Sequence, residues 1–200
     1  MENLYKKGLF LEYFTVAYNI FEAFFSIIFG TLSNSIALVG FGLDSVVESL
    51  SGIILIWRLK KHGFVNEYEE LNVEKKATKL VGLTFLILGF YVLIESIRKI
   101  LITEKPDPSL AGIIISIASI LIMPILFYQK NIIGKKINSK SLIADSKETL
   151  ACAFLSLPLF FGLSLNYFFG FWQADPIVGV IIFIFLIKEG IEIMKGADND

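Results

Sequence analysis

Long apolar segments, separated by short polar ones, recur along this chain of 200 residues. Six of them approach the roughly 20 residues that a helix needs to cross a bilayer. They comprise residues 10–32, 36–57, 80–102, 110–128, 141–165 and 176–194. They are continuously apolar rather than alternating, which favours helices over the strands of a membrane barrel. The pattern predicts an all-α membrane protein with six transmembrane helices in a single domain, residues 1–200.

The polar connections between these segments differ in length. Residues 31–35 are short enough to predict a tight turn, so the first two helices form an antiparallel pair. Residues 60–79 are the longest polar segment, for which we expect a cytoplasmic loop with a short surface helix. Pro106 and Pro108 interrupt the chain before the fourth span.

The lysines and arginines predict the orientation of the helices. If the N-terminus is inside, 14 of them, Lys130 included, fall on the inner side, while Arg98, Lys99 and Lys105 fall on the outer side. Cytoplasmic connections carry the excess of basic residues in multi-pass proteins. We therefore expect both termini in the cytoplasm, and the plasma membrane as the location.

Composition narrows the functional classes. The chain is 55% hydrophobic and 18% charged, with a formal net charge of -1, which fits a membrane protein and gives no sign of nucleic-acid binding. Its single cysteine, Cys152, cannot form an internal disulfide, and its single histidine, His62, excludes sites built from several imidazoles. His62 lies in the polar 60–79 segment and reads as a surface residue.

Two carboxylates lie deep within the second span. Asp44 and Glu48 are four residues apart, so they share one face of a helix, about one turn from each other. A charged carboxylate at such a depth costs roughly 2.5–3.5 kcal/mol. A chain that keeps two of them is expected to bind something with their oxygens, and a divalent metal ion fits best.

A second polar cluster lies in the fifth span. Asp145, Glu148 and Cys152 follow one another at spacings of three and four, so they share a face, while Lys147 points to the opposite side. Counted along each helix, Asp44 lies about 15 Å from the outer end, and Glu148 and Cys152 about 12 to 18 Å from the inner end. The two clusters reach similar heights, as a shared metal site requires.

The donor set favours certain metals. Zinc accepts carboxylate oxygens and a thiolate, whereas manganese or iron would favour the oxygens; Cys152 shifts the balance toward zinc. Several close acids would hold protons when no metal is bound, so metal binding would displace protons. The acids could instead be structural, and Lys147 is the one deep basic partner that the sequence suggests for them.

Other polar residues within the spans read differently. Asn19 and Glu22 lie deep in span one, where they could bond to the ligands or belong to a proton path. Glu12 lies near the inner end of the same span and reads as an interface residue. Glu189 and Glu192 in span six also lie near the inner interface, beside Lys188 and Lys195, and are expected to be solvated.

These features together resemble the cation diffusion facilitator, or cation efflux, family. The stretches that carry the resemblance are Ser35 to Glu48, Ala144-Asp145-Ser146-Lys147-Glu148 and Ala174-Asp175-Pro176-Ile177. It implies export of zinc or a related divalent ion in exchange for protons, commonly by a homodimer. The four site positions of the family map onto Asp44, Glu48, Glu148 and Cys152, with Asp145 as a further ligand or gate.

The chain also departs from the family pattern. The usual pair in span five is His and Asp, where this sequence has Glu148 and Cys152. The expected cytoplasmic C-terminal domain is missing from the sequence, which suggests a branch that consists of the membrane domain alone. Transported zinc, manganese, iron or cadmium would be a substrate, and we expect no prosthetic group.

Two other classes of function remain open from the sequence. A membrane metal sensor, or an assembly partner of another transporter, would bind metal without moving it. An intramembrane enzyme is disfavoured because the chain lacks the His, Ser or cofactor-binding pattern that would make a reaction specific.

Overall fold

A computed structural model of the chain describes residues 2–61 and 67–199. Side chains are described for these residues except 2–3, 61, 67–78, 140 and 196–199. His62 lies outside the described residues.

The described part of the chain contains helices joined by short connections, and no strand. Its six helices, numbered in chain order, are α1 Glu2–Leu32, α2 Ile36–Lys61, α3 Glu67–Ile102, α4 Leu110–Lys136, α5 Lys140–Phe169 and α6 Ala174–Asn199. Each apolar segment of the sequence lies within one of these helices, so the predicted all-α fold with six helices is confirmed.

Several helices are longer than the apolar segments that predicted them. α3 begins at Glu67, so most of the 60–79 segment, expected to be a loop with a short surface helix, is instead the start of α3. The physical reason is that residues 67–79 contain no Gly or Pro and are rich in Glu and Lys, which favour helix. α4 likewise continues past residue 128 to Lys136.

Within the described residues, five of the helices are long and apolar enough to cross a membrane by length and composition. They are the first five, over Leu4–Leu32, Ile36–Lys60, Lys79–Ile102, Leu110–Lys136 and Ser141–Phe169. α6 is 26 residues long, but Lys188, Glu189 and Glu192 add charge to its second half. The chain is an integral, multi-pass membrane protein.

The helices pack in three close pairs, α1 with α2, α3 with α6 and α4 with α5, and α2 also contacts α3, α5 and α6. α2 is the most buried of the five spans. Gly42 lets it approach α1 closely, since a Cβ there would lie 2.9 Å from Ser26 Cβ and 3.1 Å from the Ile27 nitrogen. Side chains from α2 therefore face the centre of the bundle.

Polar contacts join the helix ends at the α1–α2 turn. The Asp175 carboxylate accepts hydrogen bonds from the Ser35 hydroxyl and from the Ile36 N–H, the latter at 2.9 Å. α2 and α6 therefore begin at the same end of the bundle.

A second set of contacts closes the same end. Lys99 Nζ donates to the Asn34 carbonyl at 2.7 Å, and Asn34 Nδ2 donates to Glu104 Oε1 at 2.6 Å. That hydrogen bond lowers the pKa of the Glu104 carboxyl from its ordinary value. The connection before α4 is thereby tied to the α1–α2 turn.

Candidate metal site

Three potential metal ligands come together between α2 and α5. One carboxylate oxygen each from Asp44 and Glu48, and the Cys152 sulfur, all lie within 4.8 Å of one another. All three residues are buried, at 6%, 4% and 2% exposure. Ligand atoms around a tetrahedral zinc lie about 3.3–3.7 Å apart, given bonds of about 2.0–2.3 Å, so a contraction of about 1 Å would seat an ion.

The helical spacing explains why these side chains meet. Asp44 and Glu48 are one turn apart on α2, the central helix, and Glu148 and Cys152 are one turn apart on α5. All four line one small cavity of about 10 Å³, together with Phe85, Ala151, Leu155, Phe185 and Glu189. A space of that volume holds about one water molecule, or an ion of similar size.

The acids of this cavity are short of hydrogen-bond donors. Neither oxygen of Glu48 has a hydrogen-bond partner among the described residues, and neither does Glu148 Oε2. A buried carboxylate without a partner is costly, and it is stabilised by a cation or by a proton. The cavity is therefore suited to a positively charged occupant.

Glu22 on α1 lies next to this cluster. Its carboxylate accepts hydrogen bonds from the Ser45 hydroxyl at 2.8 Å and the Tyr18 hydroxyl at 3.1 Å, and Cys152 Sγ lies 3.9 Å from Glu22 Oε2. The structure thus links Glu22 directly to one member of the ligand cluster. Asn19, one turn earlier on α1, is fully buried, and its amide has no hydrogen-bond partner among the described residues.

Asp145 has a different partner from the one that the sequence suggested. Lys130 of α4 is fully buried, and its ammonium lies 2.5 Å from Asp145 Oδ2 and 3.1 Å from Glu12 Oε1. Lys147 is exposed. Two expectations are thus wrong: Glu12 is not an interface acid, and Lys147 is not the deep base.

The register of the helix hairpins could have revealed this. The α4–α5 turn lies at residues 137–139, so residues equally far before and after it lie level in an antiparallel pair. Lys130 and Asp145 satisfy that condition to within one residue, as do Asn131 and Ser146, whose side chains are 3.2 Å apart. The same argument about the α1–α2 turn places Glu22 level with Ser45 to within one residue.

The two acids near the end of α6, both expected to be solvated, have different surroundings. Glu192 is 63% exposed in its side chain and lies 3.8 Å from the Lys188 ammonium, as the sequence suggested. Glu189 is half-buried and lines the cavity that holds Asp44, Glu48, Glu148 and Cys152. Helical periodicity could not separate the two acids without knowledge of which face of α6 meets the bundle.

Comparison with known proteins identifies a family to which the chain is similar. A model described as the cation efflux transmembrane domain matches residues 13–197. That range includes most or all of each of the six helices and every residue of the cluster.

Three individual proteins are similar to this chain over most of its length. Transmembrane protein 163 of Xenopus laevis is 23% identical over 194 residues, which is 96% of this chain and 68% of that protein. Magnetosome protein MamB of Magnetospira sp. (strain QH-2) is 25% identical over 90% of this chain and 63% of its own length. Manganese efflux system protein MneS of Bacillus subtilis is 21% identical over 92% and 64%. The chain spans about two thirds of the length of these relatives.

Proposed function

The chain belongs to the cation efflux family, and on that premise we propose that it moves a divalent metal cation across the membrane through the cluster of Asp44, Glu48 and Cys152. Members of the family are transporters rather than enzymes. The observation that carries the proposal is the convergence of these three ligand atoms, from two helices, within 4.8 Å in a buried cavity. Glu148, which lines the same cavity, would complete a set of four ligands.

Zinc is the substrate that we propose, with manganese, iron and cadmium as the competing ions. A thiolate beside carboxylates suits zinc and cadmium better than manganese or iron, which prefer oxygen ligands. One similar protein is named a manganese efflux system protein, so manganese is the first competing ion to test.

Protons are the counter-substrate that we propose. Metal ions bind deprotonated ligands, so an ion that enters the cavity releases protons and protons replace it when it leaves. Glu22, within 3.9 Å of the Cys152 sulfur, is positioned to receive or supply such a proton.

We further propose that the metal leaves the cytoplasm, that both termini face the cytoplasm, that the membrane is the plasma membrane and that the protein works as a homodimer.

The test is zinc flux into proteoliposomes under an imposed pH gradient. Wild type should show flux that depends on the gradient, and Asp44→Ala should abolish it because one of the three clustered ligands is lost. Glu192→Gln is the control, since it removes an exposed carboxylate of the same chain. Equal flux through wild type and Asp44→Ala would refute the site; metal binding without flux for any of the four ions would favour a sensor or assembly partner.

A further inference from the structure

Glu189 lines the cavity of the ligand cluster. It belongs to α6, whereas the ligands of the cluster belong to α2 and α5. We propose that Glu189 attracts the cation to this cavity and passes it to Asp44, Glu48 and Cys152, and so sets how tightly the transporter captures its substrate. This inference rests on the transport function proposed above.

The first argument is the position of Glu189 along the bundle. α2 and α6 begin at the same end, where Asp175 bonds to Ser35 and Ile36. At 1.5 Å per residue, Glu48 lies about 20 Å and Glu189 about 21 Å from that end. The two carboxylates are therefore level, about one turn beyond Asp44.

The direction of α5 places Glu148 on the same side of Asp44 as Glu48 and Glu189. α5 runs opposite to α2 and α6, because its C-terminal part meets the closed end, where Asn166 Nδ2 donates to the Pro106 carbonyl at 3.1 Å. Glu148 thus lies nearer than Cys152 to the opposite end of the bundle, the one predicted to be cytoplasmic. A cation that arrives from there meets Glu48, Glu148 and Glu189 before Asp44.

The second argument is that carboxylates lining this cavity are short of hydrogen-bond donors. Glu48 is 96% buried, and neither its oxygens nor Glu148 Oε2 accept a hydrogen bond from a described residue. Glu189 is half-buried beside them. Acids in a cavity with apolar walls focus their field and raise the local concentration of cations. Phe85, Leu155 and Phe185 provide such walls here.

The third argument is the contrast with Glu192, one turn further along the same helix. Its side chain is 63% exposed and lies 3.8 Å from the Lys188 ammonium. Glu192 carries the same formal charge but does not line the cavity. It therefore separates an effect of position from an effect of net charge.

The experiment measures zinc uptake by proteoliposomes as a function of zinc concentration, for wild type, Glu189→Gln and Glu192→Gln. At low ionic strength, Glu189→Gln should raise KM about tenfold and leave the maximal rate within about twofold, because one charge that attracts the ion is lost while the ligands remain. The difference should shrink as salt screens the charge. Glu192→Gln should stay within about twofold of wild type.

A conservative variant separates charge from shape. Glu189→Asp keeps the carboxylate and should keep KM within about threefold of wild type at any salt concentration. A KM for Glu189→Gln that equals that of Glu192→Gln would overturn the inference, as would an equal rise in KM for Glu189→Asp and Glu189→Gln.

The failure of this inference is distinct from the failure of the proposed function. If wild type moves zinc and Asp44→Ala does not, the transport site stands whatever Glu189 does. If Asp44→Ala transports like wild type, the proposed site fails, and the capture role of Glu189 fails with it.

Discussion

The sulfur of Cys152 gives this cluster a soft donor among hard carboxylate oxygens. It lies within 4.8 Å of an oxygen of Asp44 and one of Glu48, and 3.9 Å from Glu22 Oε2. A buried cysteine alone is usually a small packing residue. Its position near three carboxylates from two other helices supports the proposal that it binds the metal, so its removal should change the choice of metal.

Cys152→Ser should therefore alter metal preference more than it alters stability. A hydroxyl replaces the thiolate, so the affinity for zinc and cadmium should fall by about tenfold relative to that for manganese, or ~1.4 kcal/mol. Competitive titration of the purified protein with the three ions measures this ratio. An unchanged ratio would mean that the sulfur is not a ligand.

Lys130 is the other residue whose role depends on its depth. It is fully buried between Glu12 and Asp145. Lys130→Met should lower the free energy of unfolding by about 3–5 kcal/mol, because it leaves two buried carboxylates without their cation. Unfolding of both proteins in detergent measures this loss of stability. The triple variant with Glu12→Gln and Asp145→Asn, which removes all three charges, should recover much of the loss; if the single variant were as stable as wild type, this pairing would have no energetic importance.

At the scale of the helices, the sequence predicted the number of helices and the approach of the polar faces of α2 and α5. Spacings of four placed Asp44 with Glu48, and Glu148 with Cys152, on single faces, and the depths counted along each helix matched. The prediction missed Lys130 because this lysine follows the fourth apolar segment, residues 110–128, and was only counted among the basic residues of the inner side. It missed Glu189 because the neighbours of α6 depend on how the helices pack.

Helix packing makes its own prediction where α3 crosses α6. A Cβ on Gly190 would lie 2.9 Å from the Gly82 carbonyl oxygen and 3.0 Å from Phe85 Cβ. Gly190→Ala should therefore lower the free energy of unfolding by about 1–3 kcal/mol, because a backbone atom cannot move aside easily.

Gly8→Ala is the matched control for this substitution. Its added methyl group would meet only side-chain atoms, Leu142 Cδ2 at 3.3 Å and Ile133 Cγ2 at 3.6 Å. Alanine is also the better helix former, by about 0.5–1 kcal/mol. Thermal unfolding of both variants in the same detergent should give opposite signs, and a Gly190→Ala protein as stable as wild type would contradict the close crossing.

At the scale of the whole molecule, the fold places polar groups inside and large apolar side chains outside. Glu12, Asn19, Glu22, Asp44, Glu48 and Lys130 are buried, whereas many Phe, Ile and Leu side chains are exposed. This arrangement suits a bilayer, which solvates the exterior and leaves polar groups only one another or an ion.

The proposed exchange of metal for protons would depend on this whole arrangement. If protons replace the metal when it leaves the cavity, zinc entry into proteoliposomes should be accompanied by a rise in lumenal pH, because protons leave as zinc enters. A pH-sensitive dye in the lumen measures this change. The rise should be absent in Asp44→Ala; zinc entry with no pH change in wild type would exclude proton exchange.

The most direct test of the central claim is X-ray absorption at the zinc edge of the purified, zinc-loaded protein. Because Cys152 is the single cysteine of the chain, a zinc ion in the proposed site must show one sulfur neighbour at about 2.3 Å, with oxygen neighbours at about 2.0–2.2 Å. The sulfur contribution should disappear in Cys152→Ser. A wild-type spectrum with oxygen and nitrogen neighbours alone would place the metal elsewhere and contradict the account.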